Sequence, residues 1–238
     1  MNGYGCLAAY YDRLMADFDY EGYLALLDRE IEGTEGADLC CGSGAITVAL
    51  AKKGKKMTGA DISPEMLSRA AANAREAGVR PVFVEADATT FRPHKTVDFV
   101  TCVCDGLNYI RPKDLAVFFK NAACILEKGG KLIFDVSSEY KIKKIIADNV
   151  FFEDYDDVTY LWTNAPFKGG VKMELTFFIR DKDGKYIKQT EEHTQYAHTR
   201  EDIENAMKDL FSFKAYDFST MGEVSAKTAR IVWVCERL

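Results

Sequence analysis

The segment ADLCCGSGAITVALAKKG, residues 37–54, constrains this chain more than any other: an apolar strand, a turn carrying Gly42 and Gly44, and an amphipathic helix closed by Gly54. A helix that begins in such a turn leaves its first backbone N–H groups without intrahelical partners, and they point toward whatever lies at its N-terminus. Glycines in the turn let a ligand lie against the main chain. Nucleotide-type ligands of two kinds suit this geometry, and the remaining sequence has to choose between them.

Outside that segment, strands alternate with helices. Helical spacing runs through 8–31, with Tyr11, Leu14, Met15 and Phe18 followed by Tyr23, Leu26, Leu27 and Ile31. Strands are predicted over 37–41, 57–60, 81–86, 97–103 and 131–136, with helices over 44–53, 63–78 and 112–127. Ser63-Pro64-Glu65 opens one helix with a capping hydroxyl, a proline where no N–H is needed, and a carboxylate at the positive end of the dipole. This order predicts an α/β fold with a doubly wound, mostly parallel seven-stranded sheet.

After a short helix at 138–149 the period drops to two, through 158–162, 171–180 and 186–198, and Lys182-Asp183-Gly184-Lys185 reads as a hairpin turn. With a two-residue loop, Val171, Met173, Leu175, Phe177 and Ile179 share one face and Glu174 lies opposite His193; a one-residue change in the loop flips that pairing. Thr199 caps a helix to about Leu210, and strands at 213–219 and 229–236 return to the α/β pattern. The predicted organisation is an N-terminal helix and ligand-binding core (1–149), an antiparallel β insertion (150–198) and a return to the core sheet (199–238).

Hydrophobic residues at 47% and charged residues at 29% are those of an ordinary globular protein. A net charge of −6 argues against a sequence-independent grip on nucleic acid, and the short basic clusters KKGKK at 52–56 and KIKK at 141–144 read as solvated surface. No apolar run approaches the roughly 18 residues of a spanning helix, and the opening lacks a signal-peptide pattern, so a cytoplasmic protein with no membrane partner is expected. The seven cysteines, Cys6, Cys40, Cys41, Cys102, Cys104, Cys124 and Cys235, lack paired metal-ligand spacing; they read as free thiols, and no metal is expected.

A dinucleotide fingerprint needs glycines at relative positions one, three and six. Gly42 and Gly44 supply two, but Thr47 occupies the sixth, and the Gly-Lys-Ser/Thr ending of a phosphate loop is absent. What remains is Asp38-x-Cys40-x-Gly42-x-Gly44, followed by Asp61 and Asp87 at the ends of the second and third strands. With these motifs the chain resembles the class I S-adenosylmethionine-dependent methyltransferases over about residues 36–136. Cys40 stands where that family usually has its first glycine; the residue is small and is expected to lie in strand conformation.

The resemblance implies a cofactor, S-adenosylmethionine, and a site for it. Gly42 and Gly44, with Asp38, Cys41 and Cys104 nearby, would pass beneath its methionine portion. Asp61 would accept from the ribose hydroxyls, Ile62 and Met66 would pack on the adenine, and Asp87 and Ala88 would meet the adenine amine. Tyr10-Tyr11-Asp12 resembles the entry helix of small-molecule methyltransferases, which puts Tyr11 at the methionine end or, as an alternative, in ordinary rim packing.

The segment Cys104-Asp105-Gly106-Leu107-Asn108-Tyr109 would lie beside the transferred methyl. Asp105 and Asn108 either orient or deprotonate an acceptor, or cap the next turn. His193 and His198 are further candidate bases, with pairing to Glu174 the plainer reading of His193. The segment lacks the prolines of enzymes that methylate exocyclic base amines, so nucleic acid is disfavoured as partner. A small-molecule acceptor, methylated on nitrogen or oxygen, is the leading expectation, closest in type to amine and aminosugar N-methyltransferases. Methylation of RNA or a translation protein, and cofactor binding without turnover, are the alternatives.

Overall fold

A computed structural model describes residues 5–238 of the chain. The helical spacing at 8–31 resolves into two helices, α1 (Leu7–Leu14) and α2 (Tyr20–Glu30), because the chain turns at 15–19 and Asp19 caps α2 by accepting from the Gly22 amide at 2.8 Å. Strands β1 (Glu35–Leu39), β2 (Lys56–Asp61), β3 (Val82–Glu85), β4 (Val97–Cys102) and β5 (Leu126–Ser137) follow, separated by α3 (Ala45–Lys52), α4 (Pro64–Glu76) and α5 (Leu115–Ile125). Ser63 caps α4 as its sequence predicts, its hydroxyl accepting from the Met66 amide at 3.1 Å.

The chain then builds β6 (Val150–Asp154), β7 (Val158–Phe167), β8 (Gly170–Arg180) and β9 (Tyr186–Tyr196), and closes with α6 (Arg200–Met207), β10 (Phe211–Asp217) and β11 (Arg230–Arg237). One sheet has seven strands in the order β10-β11-β5-β4-β1-β2-β3, with β11 antiparallel to both its neighbours; the other is antiparallel, β6-β7-β8-β9. The fold is the Rossmann-like α/β class expected.

Period-two alternation sorts the large sheet's side chains. Leu39, Val100, Cys102, Leu132, Phe134 and Trp233 pack with α5 and α6, while Phe99, Val103, Ile133 and Val232 pack with α2 and α3. Phe134 and Trp233 stack with centroids 5.8 Å apart. Burying such side chains contributes about 1.5–3 kcal/mol each. Asp38, Thr101 and Asp135 alternate with these apolar neighbours onto the α2/α3 face, which places three polar side chains inside the core.

In the small sheet Val171, Met173, Leu175 and Phe177 share a buried face as expected. The pairing of Glu174 with His193 is corrected. The connection spans residues 181–185, its Asp181 carboxylate accepting from the Asp183 and Lys185 amides, so His193 pairs with Met173 and Glu174 with Glu192. That shift turns His193 inward, onto the buried apolar face. A third apolar cluster there joins α1, Met66 and the short helical segment Lys141–Ile146, within the helix expected at 138–149, to β7 and β8.

Candidate active site

The carboxyl ends of β1, β2 and β4 meet at the glycine turn, where an open parallel sheet binds ligands. A cleft opens there against Tyr11, Tyr20, Asp38, Cys41, Gly42 and Cys104. Gly44 caps α3 at φ 78°, and a Cβ there would come within 2.9 Å of Ala70 Cβ. Gly42 has φ 53° and open space where a Cβ would stand. Gly44 is thus required by packing, and Gly42 by conformation and by the open side of the turn.

Strand β1 stops at Leu39, and Cys40 takes a left-handed φ of 56° instead of the strand conformation expected of it. This conformation accounts for the glycine that the resembled family carries there. The Cys102 thiol, buried beside it, hydrogen-bonds Cys40, and this contact together with burial raises the Cys102 pKa. Cys104 and Asp105 are also left-handed, at φ 59° and 66°. Consecutive non-glycine residues in that region store backbone strain of the kind found at functional turns.

Asp38 is buried beneath the turn, not displayed on it. Its two oxygens accept from Thr47 Oγ1 at 2.5 Å and Thr101 Oγ1 at 2.7 Å. Burial pushes its carboxyl up to about 6 despite those donors. Asp61 lies at the end of β2, accepting from the Gly42 amide at 2.8 Å and the Ser63 amide at 2.9 Å; burial raises its pKa also. Next to it in the chain Ile62 is an exposed apolar side chain, 65% accessible, whereas Met66 is 1% exposed and packs in the α1 cluster. Asp87 accepts from the Thr89 amide at 2.7 Å and hydroxyl at 2.6 Å, and the Ala88 carbonyl accepts from Asn121.

After β4, Asp105 is fastened by Arg230, at 2.6 and 3.1 Å, and by the Ser137 hydroxyl at 2.9 Å, with Lys141 at 4.0 Å. Burial works to raise its pKa, but Arg230 and Lys141 outweigh it and hold the carboxyl below its ordinary range. A carboxylate so held is a weak proton acceptor and a firm anchor. Arg230 also bonds Asp135, a fully buried residue on β5. Neither partner was legible in the sequence, because each lies inside an apolar strand pattern.

Asn108 is fully buried and its amide is spent on backbone: Nδ2 donates to the Ser137 and Tyr196 carbonyls, and Oδ1 accepts from the Ser137 amide. It therefore joins the post-β4 turn to β5 and to the end of the insertion. His198 Nε2 lies 3.2 and 3.0 Å from the Leu107 and Ile110 carbonyls, and burial lowers its pKa. His193 is 6% exposed, with Tyr109 edge-on at 6.2 Å between centroids and Glu191 Oε2 3.5 Å from its Nε2.

A methyltransferase-domain family profile matches residues 37–130. A Geobacillus protein named as a methyltransferase is 34% identical over 201 residues, spanning 81% of each chain. The chain belongs to the S-adenosylmethionine-dependent methyltransferases. A crystal structure of such an enzyme from Clostridium acetobutylicum is 31% identical, with a TM-score of 0.86 over 96% of both chains. CalS10, an amino pentose methyltransferase of Micromonospora echinaspora, shares the fold at 20% identity and a TM-score of 0.74, over 97% of this methyltransferase and 95% of its own length. The cofactor of this methyltransferase is S-adenosylmethionine, and among its described residues no helix is long and apolar enough to cross a membrane.

Proposed function

We propose that this methyltransferase carries the methyl group to a nitrogen or oxygen of a small molecule held between the glycine turn and the β insertion. The open side of Gly42, the Asp61 carboxylate and the exposed Ile62 side chain fit the cofactor's methionine, ribose and adenine portions in that order along the sheet edge. Asp87 and the Ala88 amide are assigned to the adenine amine, and Tyr11 and Cys104 to the methionine end. Asp38 acts from below, holding the turn through Thr47.

When bound, the cofactor supplies an electrophilic methyl on a sulfonium, a good leaving group. The chain's own residues then have to align an acceptor in line with that bond and exclude water. Asp105, anchored by Arg230, orients a polar acceptor; Asn108 positions the turn that carries it. His193 is assigned as proton acceptor for an acceptor that arrives protonated.

The observation that carries the small-molecule reading is the packing of α1 on the insertion. Tyr10 stacks on Phe177 at 5.9 Å, which holds the helix that carries Tyr11 into the cleft against the insertion, beside the carboxyl edge of the sheet. A nucleic-acid acceptor would need a continuous basic path to that edge; of the 141–144 lysines beside it Lys141 faces Asp105 and Lys143 pairs with Glu139, and the 52–56 lysines lie at the opposite, amino end of β2. There Lys53 is paired with Asp28 and Lys56 with Glu35. The amino pentose acceptor in CalS10's name, on the same fold, agrees with this reading. Mass spectrometry of the enzyme with S-adenosylmethionine and panels of amines, aminosugars, phenols and RNA tests it. A methylated small molecule is expected; turnover confined to RNA or a ribosomal protein overturns it.

A further inference from the structure

Helix α1 carries Tyr11 into the cofactor cleft, yet it lacks a cap of its own: no side-chain cap comes from Cys6, and its first turn holds no acid. Glu191, from the middle of β9, supplies one. Its Oε1 accepts from the Cys6 amide and from the Leu7 amide at 3.1 Å, and the residue is 5% exposed. Burial works to raise the Glu191 pKa, but His193 and these two amides outweigh it, so the carboxyl stays ionised at the helix's positive end.

The other attachments of α1 run to the same insertion and to α4. Arg13 pairs with Asp157 at 2.9 Å and lies 4.3 Å over the Tyr155 ring, while Asp12 accepts from Arg69 and Asn73 on α4. Helix α1 thus joins the insertion to the cleft that Tyr11 lines.

We infer that Glu191 is a positioning residue for S-adenosylmethionine: by capping α1 from the insertion it holds Tyr11 over the glycine turn and so governs how tightly the cofactor is retained. The inference rests on Tyr11 as a cofactor contact. If the capped helix is the binding-competent arrangement, lowering its population weakens apparent affinity in proportion.

S-Adenosylhomocysteine is the probe, with affinity read by calorimetry and local opening by hydrogen exchange. In the wild-type enzyme, saturation with it is expected to protect the α1 amides together with those of β9 around Glu191. Glu191→Ala is expected to weaken binding about tenfold and to speed α1 exchange, with β7 and β8 unchanged, while Glu191→Gln, which keeps an acceptor oxygen, recovers most of the affinity. Thr176→Val, which removes a hydroxyl pair between β8 and β9 on the face of the sheet opposite Glu191 and Phe177, controls for general loosening of the insertion. Affinity within about twofold of wild type in folded Glu191→Ala, or no α1 protection in the wild type, overturns the inference. Tyr11→Ala separates the two claims: full affinity there refutes the Tyr11 contact, whereas weak binding in Tyr11→Ala with normal binding in Glu191→Ala refutes the role of Glu191 alone.

Discussion

Thr47 donates its hydroxyl proton to Asp38 at 2.5 Å, tying the first turns of α3 to the last residues of β1 beneath the glycine turn. Thr47 occupies the position where a dinucleotide fold keeps glycine for close packing. Thr47→Val keeps the shape but leaves a buried carboxylate oxygen without that donor. The expected cost is about 1–3 kcal/mol in urea unfolding, with Thr47→Ser recovering most of it.

Asp38 also sets a pH dependence. Its folded-state pKa of about 6 lies above its ordinary 3.8, so the folded protein binds the proton more tightly than the unfolded chain. That contribution is fully present below the unfolded pKa and is lost as pH rises through about 6, a change on the order of 3 kcal/mol. Acids whose pKa is lowered, such as Asp12 and Asp98, act in the opposite sense. Asp38→Asn isolates the term: wild type should gain stability relative to the variant as pH falls from 6.5 to about 4, followed by denaturant midpoints. A pH-independent difference refutes it.

Cys40 predicts an unusual tolerance. A left-handed residue with a Cβ costs about 1–2 kcal/mol, and a glycine gives back about 0.5–1 kcal/mol in chain entropy. Cys40→Gly should therefore match or slightly exceed wild-type stability and retain cofactor affinity. Cys40→Val, β-branched at φ 56°, should lose both. Thermal melts with and without S-adenosylhomocysteine distinguish the two.

Arg230 neutralises Asp105 and Asp135 at once, in a site where its own side chain is 14% exposed. Removing it strands two buried carboxylates, and Arg230→Met should cost about 3–5 kcal/mol. Adding Asp135→Asn to that variant should restore part of the loss. Equal stability of the single and double variants in urea would show that Asp135 does not depend on this arginine.

Asp61 carries the assignment of the ribose site. Each charge-assisted hydrogen bond it would accept contributes about 1.5–3 kcal/mol, so Asp61→Ala should weaken S-adenosylmethionine at least tenfold by calorimetry. Circular dichroism checks that the variant folds, since Gly42 and Ser63 lose their acceptor as well. Unchanged affinity in a folded variant overturns the assignment.

The alternation of strands and helices, the Ser63 cap and the glycine turn were legible because each is a local pattern whose physics lies within a few residues. Hydrophobic period, capping side chains and positive-φ positions act on their own segment. By itself the sequence therefore determined the α/β class, the glycine turn and the presence of a β insertion.

Three things belonged to tertiary structure. The hairpin register depended on a five-residue connection at Asp181, and with it the inward turn of His193. The left-handed Cys40 depended on where β1 ended. Glu191 on the α1 N-terminus, Arg230 between two aspartates, and Asn108 between the core and the insertion join residues 29 to 185 positions apart. Buried polar groups must find partners wherever packing brings them, because an unpaired one costs about 1–3 kcal/mol, and no local pattern in the chain records which partner that will be.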